Sequence, residues 1–141
     1  MENKNGVSII ALRYENGKAA IKWLGDAFGY NEHLVVPGEG NDIEHAQLTL
    51  GSGMIMISSH RDNAYGKFVK SPAEMGGFIT QSPYVIVEDI DSHYQKAKNA
   101  GAEMIIELQE EDYGGKTYTC KDIEGHIWTF GSYNPWSETD Q

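Results

Sequence analysis

The sequence predicts an α+β fold built from one strand–helix–strands unit used twice. Two alignments of the chain with itself carry this. Asn16 to Gly29 resembles Asp89 to Gly101 at an offset of 73 falling to 72, and Gly53-Met-Ile-Met-Ile57 lies over Gly125-His-Ile-Trp-Thr129 at 72 throughout. A repeat of this size exists where one copy cannot bury its apolar face without its twin. The expectation is a single domain over residues 1–141, with module one at 7–60, a connecting loop at 61–80, module two at 81–133, and a ligand cleft between the copies.

Each element follows from local chemistry. Val7 to Tyr14, rich in branched and aromatic residues, reads as a strand. Asn16 offers an N-cap, Ile21, Leu24 and Phe28 recur at helical spacing, and Gly29 supplies a left-handed stop. A short segment around His33 to Val36 and a turn at Pro37-Gly-Glu-Gly-Asn41 lead into His45 to Leu50, where polar and apolar residues alternate. Gly51-Ser-Gly53 then turns the chain into Met54 to Ser58, completing a hairpin.

Module two repeats the order. Pro83 to Val87 is a strand, Asp89 or Asp91 caps a helix with Tyr94 and Ala97 facing inward, and Gly101 ends it. Glu103 to Ile106, Thr117 to Lys121 and Ile127 to Gly131 supply three strands, the last two joined by Asp122-Ile-Glu-Gly125. The twenty residues from Arg61 to Thr80 are long for a connection, so they either wrap the surface or cover a cleft.

Composition narrows the function. The net charge of −10 is spread along the chain, which argues against a nucleic-acid partner because such a surface repels phosphate backbones. No apolar stretch approaches the ~18 residues of a membrane span, so no membrane association is expected. The lone Cys120 excludes an internal disulfide and fits a reducing cytoplasm. In its strand-like run it reads as a packing residue.

Ala19-Ala-Ile-Lys-Trp-Leu-Gly-Asp-Ala-Phe-Gly-Tyr30, Asp112-Tyr-Gly-Gly115 and Lys121-Asp-Ile-Glu-Gly-His-Ile-Trp-Thr-Phe-Gly131 resemble the vicinal oxygen chelate superfamily, which includes glyoxalases, bleomycin-resistance proteins and extradiol dioxygenases. The likeness runs over residues 7 to 133. It implies two βαβββ modules whose curved sheets form a half-open barrel, with helices on the convex side and ligand on the concave side. Where that family holds a metal ion, the ligands come from the first and last strand of each module. Registered on the strand–helix junctions and the glycine turns, those places fall on Ile9, Ile57, Ser82 and Thr129. None is a histidine or a carboxylate, whereas a nickel, zinc or iron site needs imidazole, thiolate or carboxylate donors. No metal and no other cofactor is therefore expected.

With Ile57 and Thr129 facing the cleft, strand alternation sends Met54, Met56, Trp128 and Phe130 to the core. It lines the cleft with Ala11, Arg13, His45, Gln47, Thr49, Ser59, Tyr84, Thr117 and Thr119, a wall suited to a small polar molecule. His45 is the candidate catalytic residue, as a general base or a ligand donor; it equally fits a half-solvated residue at the sheet rim. Arg13 is the one inward cation, placed either for a ligand carboxylate or phosphate or for an ion pair with a neighbouring acid. Gln47, Ser82, Tyr84 and Thr129 complete the expected ligand contacts, and Tyr113, between Asp112 and two glycines, either closes over the cleft or sits in a plain turn. His93, among Gln95, Lys96 and Lys98, reads as a solvated helix residue, and His126 as a hydrogen-bonded packing residue.

The leading expectation is a glyoxalase/bleomycin-resistance-like protein without the usual metal ligands, capturing a small polar molecule. The alternatives are a lyase or isomerase of the same superfamily acting beside a carbonyl, with His45 as base and Arg13 or Tyr113 stabilising the oxyanion, and a non-catalytic partner-binding protein. Homodimers, common in that superfamily, are a further expectation.

Overall fold

The computed structural model describes residues 3–137. Module one runs β1 (Ile10–Arg13), α1 (Gly17–Phe28), β2 (Asn31–Pro37), β3 (Ile43–Leu50) and β4 (Gly53–Ser58). Module two runs β5 (Tyr84–Ile86), α2 (Ile90–Asn99), β6 (Glu103–Glu110), β7 (Lys116–Lys121) and β8 (Ile127–Gly131). Each module forms its own four-stranded sheet, ordered β1-β4-β3-β2 and β5-β8-β7-β6. The first and last strands of each module pair in parallel and the hairpins antiparallel. The sheets are not closed into a barrel. The architecture is the α+β, doubled βαβββ arrangement expected from the sequence.

The helix signals act as the sequence suggests. Asn16 Oδ1 accepts the Ala19 amide at 3.0 Å, and Gly29, at φ 89°, closes α1 with its N–H on the Gly25 carbonyl. Asp89, rather than Asp91, caps α2 through the Ser92 amide. Ile21, Leu24 and Phe28 are buried from α1, and Ala97 from α2.

A shared core joins the two modules. Phe28 of α1 packs against Trp128 and Phe130 of β8 with ring centroids 5.2 and 4.6 Å apart, and Tyr30 reaches Trp128 at 5.8 Å. Trp23 Nε1 donates to the Ala100 carbonyl at the end of α2. Leu12, Tyr14, Ala46, Leu48, Ile55 and Ile57 from sheet one join Tyr118, Cys120, Trp128 and Phe130 from sheet two in a single buried cluster. The helix-bearing faces therefore meet, and the opposite face of each sheet turns away from the shared core.

His93 departs from the solvated reading. Its Nδ1 lies 2.7 Å from the Tyr118 hydroxyl and its Nε2 2.9 Å from the Phe28 carbonyl, with the ring 4.4 Å from that of Phe130. The surrounding Lys and Gln residues disguised one inward position on a polar helix. Desolvation lowers its pKa below the ordinary histidine value, with a further push from Lys96 that the Phe28 hydrogen bond opposes.

A second tie between the modules was not anticipated. Asp122, 7% exposed in the β7–β8 turn, takes the Tyr14 hydroxyl at 2.5 Å and Trp128 Nε1 at 3.0 Å on one oxygen. Its other oxygen takes the amides of Glu124 and His126 at 2.9 and 3.0 Å. The Glu124 carboxylate accepts the amides of Glu15 and Asn16, and His126 Nε2 donates to the Arg13 carbonyl at 2.7 Å. One turn of module two thus satisfies the polar groups at the β1–α1 junction of module one. His126 is the hydrogen-bonded packing residue expected of it. Burial, reinforced by Asp122, raises the Tyr14 hydroxyl pKa well above its usual value.

Candidate functional site

The face of sheet one away from the core is set by register. Met56 pairs with both Ala11 and Gln47, and Arg13 pairs with Ser58. The corresponding row in sheet two is Tyr84, Thr129 and Thr119. Ala11 therefore corresponds to Tyr84 and Met56 to Thr129, an offset of 73 rather than 72.

This overturns part of the expected lining. Ile57 is 1% exposed and belongs to the core, while Met56 takes the outward place assigned to it and Met54 is likewise only partly buried. The physical reason is a turn of different length. Four residues separate Thr49 from Met54, but five separate Lys121 from Ile127, although both turns contain the glycine used for alignment. A slip of one residue exchanges the faces of a strand. Trp128 and Phe130 are core as expected, and Thr129 faces outward.

Arg13, His45, Met56 and Ser58 share a cavity of about 180 Å³ roofed by Tyr65 and Val69. Arg13 is 3% exposed, and its Nη1 donates to the Ser59 carbonyl at 2.7 Å. Its guanidinium carbon stands 5.6 Å from the Tyr65 ring centroid, within cation–π range. Among the described residues no carboxylate pairs with it. Gln47 Nε2 lies 3.1 Å from His45 Nε2; with the amide donating, the imidazole proton sits on Nδ1.

Tyr65 is placed by the connecting segment, which lies against β1 and adds a second cavity of about 570 Å³ beside the first. The segment is tied at one end by the Arg61–Glu44 pair at 3.0 Å and further on by Ser71 Oγ donating to Glu15 at 2.8 Å. At Gly66 any Cβ would fall 1.8 Å from the Arg61 carbonyl, so only glycine fits that bend. The length of the connection is the sequence signal that it covers a face.

The remaining candidates lie on sheet two. Thr119 and Thr129 hydroxyls are 2.8 Å apart, and the Tyr84 hydroxyl donates to the Tyr133 carbonyl at 2.6 Å. Tyr113 packs edge-on against Tyr133 at 4.8 Å and is 54% exposed. Thr117 is buried and donates to Glu111 at 2.5 Å, and Ser82 is exposed just before β5. Arg13, His45 and Gln47 therefore stand on one wall, and Ser82, Tyr84, Tyr113 and Thr129 on another.

Among the described residues no cluster of three or more His, Cys, Asp or Glu could hold a metal ion. Ile9, Met56, Ser82 and Thr129 supply two hydroxyls, a thioether and a hydrocarbon, a donor set that does not fit a divalent transition metal. No described helix is long and apolar enough to cross a membrane.

Comparison with known proteins agrees with the fold. The sequence model of the Glyoxalase/Bleomycin resistance protein/Dioxygenase superfamily matches residues 6–130. TioX from Micromonospora sp. ML1 superposes with a TM-score of 0.70 at 31% identity, covering 90% of this chain and 99% of TioX. The fosfomycin resistance protein FosX from Mesorhizobium loti shares the fold alone, with a TM-score of 0.60 at 12% identity over 93% of this chain and 94% of its own. An uncharacterized protein of Mycobacterium bovis is 28% identical over 120 residues, 85% of this chain and 78% of that protein.

Proposed function

We propose that this chain, which belongs to the Glyoxalase/Bleomycin resistance protein/Dioxygenase superfamily, captures a small molecule on the outward faces of its sheets without a metal ion. The observation that carries the reading is the donor set. The outward positions of the first and last strands are Ile9 and Met56 in module one and Ser82 and Thr129 in module two, and none offers an imidazole or carboxylate. Hydrogen-bonding side chains remain around them in Arg13, His45, Gln47, Tyr84 and Thr119, together with the contact area of Met56 and Tyr65. That mixture of a few directed polar groups with apolar surface is what ligand sites use.

The protein acts as a homodimer in this reading. Ile9, Tyr84 and Ile86 are 38 to 39% exposed on the outward faces. A second copy would set the module-two wall of one chain opposite the module-one wall of the other, bringing Tyr84, Tyr113 and Thr129 to Arg13 and His45. Such an arrangement buries apolar surface and completes a cleft that one chain leaves open.

Light scattering at micromolar concentration tests the dimer, and a thermal-shift screen of small molecules with and without divalent metals tests the capture. Stabilisation by organic ligands but not by metals supports the reading. A requirement for metal refutes it.

The sharing of one cavity by His45 and Arg13 also favours a second reading, metal-independent lyase or isomerase chemistry with His45 as base and Arg13 facing the developing oxyanion. Turnover of a bound ligand that disappears in His45→Ala would select it.

A further inference from the structure

We infer that the Arg13 pocket is an anion subsite, and that its ligand is an amphipathic acid whose carboxylate or phosphate seats on Arg13 while its apolar body lies in the groove along Phe68, Met75 and Phe78. The inference rests on the small-molecule reading above and names the class of molecule.

Among the described residues the charge of Arg13 has no counter-ion. A guanidinium stays protonated at any physiological pH, and burying one without a counter-ion is unfavourable. Arg13 is 3% exposed, and among the described residues its only hydrogen-bond acceptor is the Ser59 carbonyl. Every fully buried side-chain nitrogen or oxygen among the described residues has a partner. Among the described residues Nε and Nη2 of Arg13 have no hydrogen-bond partner, and the side chain lines the cavity. These nitrogens form the fork that grips a carboxylate or phosphate through two parallel hydrogen bonds. His45 Nδ1 is a further donor in the same cavity when Gln47 donates to Nε2.

Charge distribution points the same way. The chain carries 21 Asp and Glu against 11 Lys and Arg, yet no acid lines either the 180 Å³ pocket or the 570 Å³ groove. Arg13, Lys67 and Lys70 do. On so acidic a protein, two adjoining cavities lined by three cations and no anion are matched to negative charge.

Size and polarity fix the rest. At ~30 Å³ per water-sized unit, the pocket holds about six such units, enough for a headgroup but not a whole ligand. The pocket and the groove share Ala11, Leu12, Tyr65 and Val69, so they adjoin. The groove adds Phe68, 89% exposed, and Phe78, 79% exposed, with Met75 and Ile79. A molecule anchored by its anion on Arg13 would run directly onto these side chains.

The test uses three probes of one shape and different charge: 4-phenylbutyrate, 4-phenylbutanamide and 4-phenylbutylamine, measured by calorimetry on the full-length protein. The acid should bind at least tenfold tighter than the amide or the amine, and more weakly as salt rises. Acetate and inorganic phosphate, which fill only the headgroup pocket, should compete weakly. Phenyl phosphate against phenylbutyrate then assigns the preferred anion. Arg13→Gln should weaken the acid at least tenfold with the amide unchanged, and Phe78→Ala should weaken phenylbutyrate but not acetate. The probe series needs only the unaltered protein, so it decides the matter even where Arg13→Gln fails to fold.

Equal binding of acid, amide and amine overturns the anion subsite while leaving capture of small molecules standing. No saturable binding by any of the three also overturns it, and the broader ligand screen then decides the underlying reading. A Phe78→Ala effect on self-association without an effect on phenylbutyrate overturns the groove, because it assigns that surface to a second copy.

Discussion

Asp122 offers the most demanding test of how the two modules are held as one body. Its carboxylate accepts four hydrogen bonds: from Tyr14 in module one, and from Trp128, Glu124 and His126 in module two. Asp122→Asn keeps the shape but replaces one acceptor oxygen with an NH₂ group. If the amide oxygen stays on the Glu124 and His126 amides, the NH₂ faces the Tyr14 hydroxyl and the Trp128 indole. The hydroxyl can turn and accept, but the indole can only donate. One buried donor is then left unsatisfied, at about 1–3 kcal/mol, and the remaining bonds lose their charged acceptor, so the total is about 2–4 kcal/mol. Tyr14→Phe removes one bond to a charged group, worth about 1.5–3 kcal/mol.

In the double variant the charge-assisted character of the Tyr14 bond cannot be lost twice, so the two effects should fall short of additive by about 1 kcal/mol. Urea unfolding followed by tryptophan fluorescence reads all three values, with a drop in melting temperature of roughly 4 °C per kcal/mol as a check. Variants within 0.5 kcal/mol of the parent, or strict additivity, would refute Asp122 as the shared acceptor that joins the modules.

Other consequences can be measured separately. His93 has a pKa lowered by burial, so the unfolded chain binds its proton more readily than the native one. Its contribution is therefore complete above pH 6.5 and is lost as the pH falls below that value through the lower native pKa; His93→Gln should flatten the stability profile there, and an unchanged profile would contradict the assignment. Cys120 is fully buried and its thiol is pushed up to about 12, first by desolvation and then by Asp122. An aromatic disulfide reagent should accordingly titrate one thiol in guanidinium chloride and react only slowly, through unfolding, with the native protein. Gly66→Ala should displace Tyr65 from Arg13, because the new methyl would sit 1.8 Å from the Arg61 carbonyl. Weaker phenylbutyrate binding with little loss of global stability is the expected result; unchanged affinity would remove Tyr65 from the site.

The fold was legible because its signals are local or repetitive. Asn16, Gly29 and Asp89 mark helix ends by chemistry that needs no tertiary context, and the alternation in His45 to Leu50 gives a face to each residue of β3. The duplication supplied the order of elements. The site was less legible for two physical reasons. Face assignment in β4 depended on aligning two turns of unequal length, and the single extra residue between Lys121 and Ile127 moved Ile57 into the core and Met56 out of it. Relations between distant segments leave no periodic trace either. Nothing near Asp122 signals Tyr14, and nothing near His93 signals Phe28, because those contacts exist only once the helix-bearing faces pack together. Arg13 was found by its parity on β1, whereas the lack of a carboxylate beside it could be seen only in three dimensions.

Elemental analysis of protein purified natively and without chelators tests the central claim most directly, combined with phenylbutyrate titration before and after chelator treatment. A scaffold that binds through Arg13 and the surrounding side chains should contain far less than one divalent transition metal per chain and bind the acid equally well in both states. One tightly held ion per chain, with binding lost on its removal, would contradict it.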